Sequence, residues 1–170
     1  MSGATAQNIG QVPYTNTSQY LHALRSRIDV AILQLGTNDA KVDYWNESRY
    51  VEDYLFIIRN VQNLITKPRV LISIPPPLYK SPKKYEMRQD IINERLPLLI
   101  RQIGRIAGVE VINLFDPLGG SSLTRSDAFA DGCHPNDVGY HLIANTVGCA
   151  LLRRGPRNFI NPWSTFMCME

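Results

Sequence analysis

The sequence has few cysteines, no long apolar run and no large excess of one charge, and each shortage excludes a class of protein. Cys133, Cys149 and Cys168 have neither the C-x-x-C spacing of a dithiol redox motif nor that of a zinc site. No apolar run approaches the roughly 20 residues that a membrane-spanning helix needs, and no charged-then-apolar leader opens the chain. We therefore expect no signal peptide in these residues, and the sequence leaves the compartment undetermined.

The charge balance also argues against two classes of partner. The net charge is +3, from 18 Lys and Arg against 15 Asp and Glu. The basic residues are scattered, and their densest group (Arg153, Arg154 and Arg157) is typical of a solvated chain end. We therefore expect neither nucleic acid nor a membrane as a partner.

The composition that remains is that of one soluble globular domain. The chain has 170 residues, 44% of them hydrophobic, with 11 Gly and 11 Pro. A chain of this size buries roughly 70% of its unfolded surface, so its core needs no metal or crosslink. We assign residues 1–154 to this domain and residues 155–170, rich in Pro, Asn and aromatics, to an irregular tail.

Short β-branched runs alternate with longer segments of helical period. The runs Asp29–Leu35, Arg69–Ile74 and Val109–Phe115 are predicted strands. The first is apolar on both pleat faces, which is typical of a parallel strand covered by helices on both sides. This alternation predicts an α/β fold with right-handed crossovers onto a parallel sheet. Helices are predicted near Ser18–Arg25, Glu47–Ile65, Lys84–Ala107 and Val138–Leu152, with Pro97 kinking or dividing the third.

Candidate chemistry follows the strands, since parallel sheets bind ligands beyond the carboxyl ends of their strands. Asp131 and His134 are three residues apart in a turn containing Gly and Pro. The carboxylate can hold the imidazole Nδ1–H and leave the other nitrogen as a base. The alternative is a surface turn with an incidental histidine.

Two further candidates could stabilise an oxyanion. Asn38 follows the first predicted strand through Gly36, and its amide can donate into a cleft. The alternative is a turn in which Asn38 bonds its own backbone. Asp39 either caps the following segment or braces Asn38. Gly3 lets a ligand approach its backbone N–H closely, unless it belongs to a flexible terminus.

Together these motifs resemble those of the SGNH (GDSL-like) hydrolase superfamily. Gly36-Thr37-Asn38-Asp39 resembles its G-x-N-D block, and residues 131–135 resemble its D-x-x-H-P block. Residues 35–54 and 127–144 are similar to sialate O-acetylesterase-like carbohydrate esterases. The resemblance implies a three-layer α/β/α, flavodoxin-like fold and a serine esterase that removes acetyl groups from small esters or acetylated glycans. It implies no metal and no organic cofactor, and such enzymes are often secreted.

The resemblance also implies a role for each matching residue. His134 would be the general base, Asp131 its orienting partner and Asn38 an oxyanion donor. The opening Ser2-Gly3-Ala4-Thr5 resembles the block whose glycine supplies a second oxyanion N–H, which would be Gly3.

One family block does not occur: the chain has no G-D-S and therefore no matching nucleophile. Loss of a triad nucleophile costs roughly a million-fold in turnover, so we expect this polypeptide alone to be nearly inactive. We expect an N-terminally truncated domain that lacks the first strands of the family's 2-1-3-4-5 sheet. The alternatives are an inactive remnant that binds a glycan or a protein, and a flavodoxin-like binding domain without hydrolase ancestry.

Because the two missing strands are adjacent in that order, the remaining three can still form one contiguous sheet. Its open edge would be Asp29–Leu35, which carries no charge beyond Asp29. Exposed edges are normally protected by charge or proline. We therefore expect another segment to pair with this edge, or self-association through it.

Overall fold

The computed structural model describes residues 3–82 and 86–152, so the tail predicted at 155–170 lies outside the described residues. None of the helices in these two ranges is both long and apolar enough to cross a membrane. Single 3₁₀ turns lie at Tyr14–Asn16, Asn38–Ala40, Asp116–Leu118, Gly120–Ser122 and Ser126–Ala128. The strands and helices in chain order are α1 (Ser18–Arg25), β1 (Val30–Leu33), α2 (Glu47–Gln62), β2 (Arg69–Ile74), α3 (Leu96–Ala107), β3 (Glu110–Asn113) and α4 (Asp137–Leu152).

The three strands form one parallel sheet in the order β1-β2-β3. Val30 pairs with Arg69 at one end of the β1-β2 ladder, and Leu71 pairs with Glu110 at the start of the β2-β3 ladder. Helix α2 connects β1 to β2, and α3 connects β2 to β3. This confirms the predicted α/β class and the parallel crossovers.

Two apolar cores lie on opposite faces of the sheet, which gives three layers. On one face α2 and α3 pack against β2, and on the other α4 packs against the β3 side. The first core includes Tyr50, Tyr54, Ile57, Ile58, Ile72, Ile74, Leu96, Ile100 and Ile103. The second contains Leu71, Ile112, Leu114, Leu118, Ala128 and Phe129, with Leu142, Ile143 and Val147 of α4 packed against it.

Strand β1 is shorter and more exposed than its sequence predicts. The Tyr54 hydroxyl donates to the Leu33 carbonyl (2.9 Å) and the Tyr50 hydroxyl to the Leu35 carbonyl (3.1 Å). The chain therefore leaves the sheet after Leu33. Val30 and Ile32 are 44% and 39% exposed. The prediction that helices cover both faces of this strand is therefore wrong for the described residues. The reason is position: β1 is an edge of the described sheet, and α4 packs on the β3 side instead.

The segment predicted as one helix over 84–107 is divided near Pro97, as expected. A π-helical turn covers Ile91–Arg95, and α3 begins at Leu96 with proline in its first turn. The Leu96 N–H donates to the Ile91 carbonyl, five residues back, instead of four. Proline has no N–H with which to continue the ordinary ladder, so a change of helix type at this point has a direct cause.

Candidate active site

A cavity of about 650 Å³ lies at the carboxyl ends of the strands. It brings together the predicted residues Gly3, Asn38 and His134, which come from three separate parts of the chain. No three His, Cys, Asp or Glu side chains within residues 3–82 and 86–152 cluster as metal ligands. The other lining residues are Gln11, Val12, Gln34, Thr37, Lys41, Pro76, Pro77, Leu78, Pro82, Met87, Cys133, Pro135, Tyr140 and Ile143.

Asp131 and His134 are in direct contact. The Asp131 Oδ2 atom lies 2.8 Å from His134 Nδ1. The other carboxylate oxygen accepts the backbone N–H groups of His134 (2.7 Å) and Cys133 (2.9 Å). The backbone N–H and the ring of His134, followed by the Cys133 N–H, lower the pKa of Asp131 to about 2. Asp131 is therefore a carboxylate at any ordinary pH and can hold the imidazole in one orientation.

The loop that carries this pair is attached to the segment after β2 by Gly132. The Gly132 carbonyl accepts the N–H groups of Tyr79 (2.8 Å) and Lys80 (3.1 Å). The φ of Gly132 is +86°, and a Cβ there would lie 2.8 Å from the Lys80 Cβ. Only glycine fits this close approach without strain. The D-G step is therefore what brings the Asp131–His134 loop against the β2 end of the cavity.

The other end of the same loop is held by the start of α4. Ala130 N–H donates to the His134 carbonyl (2.8 Å), and Asn136 N–H to the Ala128 carbonyl (3.0 Å). The Asn136 side chain accepts the N–H groups of Val138 (3.0 Å) and Gly139, so it caps the helix. The His134 side chain stays 69% exposed, with its ring on the cavity. The backbone is thus held on both sides of a side chain that substrate can reach.

Gly36 begins the turn that presents Asn38. Its φ of +133° is one that side chains rarely adopt, and a Cβ there would lie 2.8 Å from the Tyr50 hydroxyl oxygen. Its carbonyl accepts the N–H groups of Asp39 (3.0 Å) and Ala40 (3.2 Å). The turn is therefore closed by backbone hydrogen bonds, and the side-chain amide of Asn38 takes no part in closing it.

Asp39 has a different role from the two that the sequence suggests. Its carboxylate is fully buried and accepts the backbone N–H groups of Ala6 (3.0 Å) and Gln7 (2.8 Å). Burial raises the pKa of this carboxyl from 3.8 to about 6, and the N–H groups of Gln7 and Ala6 oppose the rise. Asp39 therefore fastens the segment that follows Gly3 against the turn that carries Asn38.

Sequence reasoning missed Gln7, Gln11 and Lys41. The Gln7 Oε1 atom accepts the Asn46 N–H (2.9 Å), and the Lys41 ammonium donates to the Gln11 Oε1 atom (2.7 Å). These contacts join residues 39 and 30 positions apart. No local spacing could have revealed them, because they depend on how residues 3–12 pack against the segment that follows β1.

Three layers with a cavity at the carboxyl ends of parallel strands, lined by both polar and apolar side chains, define an α/β protein of the kind that binds ligands at this edge. The chain belongs to the GDSL-like lipase/acylhydrolase family, whose profile matches residues 1–142. This confirms the resemblance found in the G-x-N-D and D-x-x-H-P blocks.

Individual relatives agree with this family. An acetylxylan esterase from Xylanibacter ruminicola is 24% identical to this chain in an alignment 170 positions long, which covers 89% of this chain and 34% of that protein. The chain thus spans about a third of this curated relative. A carbohydrate esterase family 3 structure from Talaromyces cellulolyticus has a TM-score of 0.63 at 20% identity, covering 89% of this chain and 68% of that one. The carbohydrate acetylesterase Est24 from Sinorhizobium meliloti has a TM-score of 0.62 at 18% identity, covering 89% and 76%. These structures share the fold.

Proposed function

We propose that this chain carries the acid–base and oxyanion parts of a serine esterase that removes acetyl groups from carbohydrate. One observation carries the proposal: the 2.8 Å contact between Asp131 and His134 lies on the same cavity as Asn38 and Gly3. These are the residue types that acyl transfer requires, at the edge of the sheet where ligands bind. The acetylated substrate is suggested by relatives named acetylxylan esterase and carbohydrate acetylesterase.

In the proposed reaction a serine oxygen attacks the acetyl carbonyl while His134 Nε2 takes the serine proton. Asp131 holds the ring through Nδ1 and stabilises the imidazolium. The oxyanion is stabilised by the Asn38 amide and the Gly3 N–H. The sugar oxygen leaves with the proton from His134. Water, deprotonated by His134, then releases acetate from the acetyl-serine. The serine belongs to a G-D-S segment, which is not among these 170 residues.

The test uses a protein in which this chain is joined to a G-D-S segment. It should release acetate from acetylated xylan or a small acetyl ester, and His134→Ala should abolish turnover. His141→Ala, on an exposed position of α4, is the matched control and should retain activity. Asn38→Ala should lower kcat by on the order of a hundred-fold. Unchanged turnover in His134→Ala would refute the proposal.

A second candidate is a non-catalytic module that binds a glycan or a protein. It is favoured by the exposed apolar edge of β1, where Val30 and Ile32 face solvent in the described structure. This edge could also pair two copies of the chain. Fluorophosphonate labelling of the protein in which this chain is joined to a G-D-S segment separates the two candidates, because covalent modification requires an activated serine. Labelling that His134→Ala abolishes would contradict the non-catalytic role.

A further inference from the structure

A second cavity lies between helices α1 and α2. It has a volume of about 660 Å³ and is bordered by Tyr20 and Leu24 of α1 and by Phe56 and Asn60 of α2. None of its described lining residues also lines the candidate active site. We call this cavity the α1–α2 groove, and the proposed reaction makes no use of it.

The polar groups that line the α1–α2 groove are all uncharged. Asn8, Asn16 and Asn60 bring three primary amides to it, and Thr15 adds a hydroxyl. The Asn60 amide donates to the Tyr20 hydroxyl oxygen at 2.7 Å, which fixes its orientation. The groove therefore presents several groups that can both donate and accept a hydrogen bond.

Backbone contacts hold two of these amides in place. The Asn8 N–H donates to the Asp53 carboxylate of α2 at 2.8 Å, and the Asn16 N–H donates to the Pro13 carbonyl at 3.0 Å. Neither side-chain amide forms a hydrogen bond with any other described residue, so both can bind a ligand. Because the backbone beneath them is already ordered, binding has a smaller entropic cost.

Phe56 forms an apolar wall beside these amides. It is 54% exposed and lies on the outer side of α2, whose inner side is buried in the core. It is not an isolated surface residue, since Leu24 and Leu64 line the same groove, and Asn60 follows it by one helical turn. An exposed apolar surface rimmed by polar groups is typical of a ligand-binding groove.

A chain of neutral pyranose sugars matches this set of groups. Sugar hydroxyls both donate and accept, as primary amides do. The C–H groups on the flat side of a pyranose ring pack well on the face of an aromatic ring such as Phe56. An anionic ligand needs a cation, and none of the described lining residues is charged. A peptide helix needs a mainly apolar groove, whereas this one has as many amides as aliphatic and phenyl groups.

We propose that the α1–α2 groove is a second carbohydrate-binding site, separate from the catalytic cavity. It binds an uncharged stretch of glycan by stacking on Phe56 and by hydrogen bonds to Asn8, Asn16 and Asn60. Residues 3–16 border both the groove and the catalytic cavity. A polysaccharide held in the groove therefore has a raised effective concentration at the cavity. Binding in the groove needs no serine, so this inference can hold or fail independently of the proposed catalysis.

The experiment titrates the 170-residue chain with xylohexaose, which has neither charge nor acetyl group. In NMR, the side-chain amide signals of Asn8, Asn16 and Asn60 report binding in the groove, and the signals of Asn38 and His134 report binding in the cavity. We expect the three groove signals to move together, with a dissociation constant on the order of 1 mM. Added salt should leave this affinity unchanged, because no described lining residue is charged.

Phe56→Ala should weaken binding of xylohexaose by about ten-fold, because the stacking face is lost. Phe56→Trp keeps an aromatic face and should keep the affinity. Ile106→Ala is the matched control: Ile106 has the same 54% exposure, on α3 and outside the groove lining, and its loss should not change the affinity. All three substitutions are at exposed positions, so the variants should fold.

Three results would overturn the inference. Movement of the Asn38 and His134 signals without the groove signals, or of neither set, would show that the groove binds no neutral glycan. Equal affinity in Phe56→Ala and Ile106→Ala would show that the sugar does not stack on Phe56. Movement of the groove signals on dilution of the chain alone would identify the groove as a contact between two copies. Each result leaves the proposed function standing, because His134→Ala in the protein with a G-D-S segment tests it separately.

Discussion

Asp39 provides the sharpest test of how this fold holds its cavity, because a carboxylate there has two opposing effects. Its pKa rises from 3.8 to about 6 through burial, despite the N–H groups of Gln7 and Ala6. At about 1.36 kcal/mol per pH unit, the rise means that ionised Asp39 costs the fold about 3 kcal/mol relative to its protonated form. Between about pH 6 and 4 the folded protein binds a proton that the unfolded chain does not. The contribution of Asp39 to stability therefore increases as the pH falls and decreases as it rises.

Asp39→Asn removes the charge and keeps the shape. Above pH 7 it should relieve the net cost of about 3 kcal/mol that the ionised carboxyl has relative to its protonated form. It also leaves one of the two N–H groups, on Ala6 or Gln7, facing an amide NH₂, which costs about 1–3 kcal/mol. The two effects nearly cancel at pH 8. At pH 5 the wild type has gained about 1.4 kcal/mol by protonation, and the variant has gained nothing from this site.

The assay is urea unfolding of both proteins at pH 8 and pH 5. We expect the free energy of unfolding of Asp39→Asn to fall, relative to wild type, by about 1.4 kcal/mol between the two buffers. Asp53→Asn is the matched control for a lost acceptor. The Asp53 carboxylate accepts the N–H of Asn8, in the same N-terminal segment, through an exposed hydrogen bond of 2.8 Å. A difference between wild type and Asp39→Asn that is the same at both pH values would refute the reasoning.

Three other predictions concern the turn, the acid–base pair and the sheet edge. Gly36→Ala should destabilise the fold by about 1–3 kcal/mol in urea unfolding, because the new Cβ would lie 2.8 Å from the Tyr50 hydroxyl at a φ of +133°. Gly148→Ala is the control and should not destabilise the fold in this way, because a Cβ there meets nothing within 4 Å. The Asp131 carboxyl should titrate near pH 2 in ¹³C NMR. The stability that its hydrogen bonds supply is therefore present above pH 4 and is lost as the pH falls towards 2. A titration midpoint near pH 4 would contradict the contacts described. Ile32→Lys, at a position 39% exposed, should reduce any self-association of the chain in sedimentation velocity with little loss of stability; unchanged association would exclude the β1 edge as its cause.

Local patterns predicted most of the secondary structure. Helix α1 and strand β2 have the expected bounds, since each depends on a periodicity that is complete within the segment. Strand β3 ends two residues earlier than predicted, at Asn113, whose side-chain oxygen accepts the N–H groups of Phe115 and Asp116. Asparagine favours such turns, but the apolar run that continues past it predicts a longer strand.

The α/β alternation, the Asp131–His134 contact and the Gly36 turn could be predicted from local sequence, because each depends on residues a few positions apart. Local sequence does not show that Asp39 holds the backbone of Ala6 and Gln7, that Lys41 lies on the cavity wall beside Gln11, or that one face of β1 is exposed. The contacts of Asp39 and Lys41 join residues 30 or more positions apart. Such pairings depend on how whole layers pack around the sheet, and no periodicity or spacing along the chain encodes them.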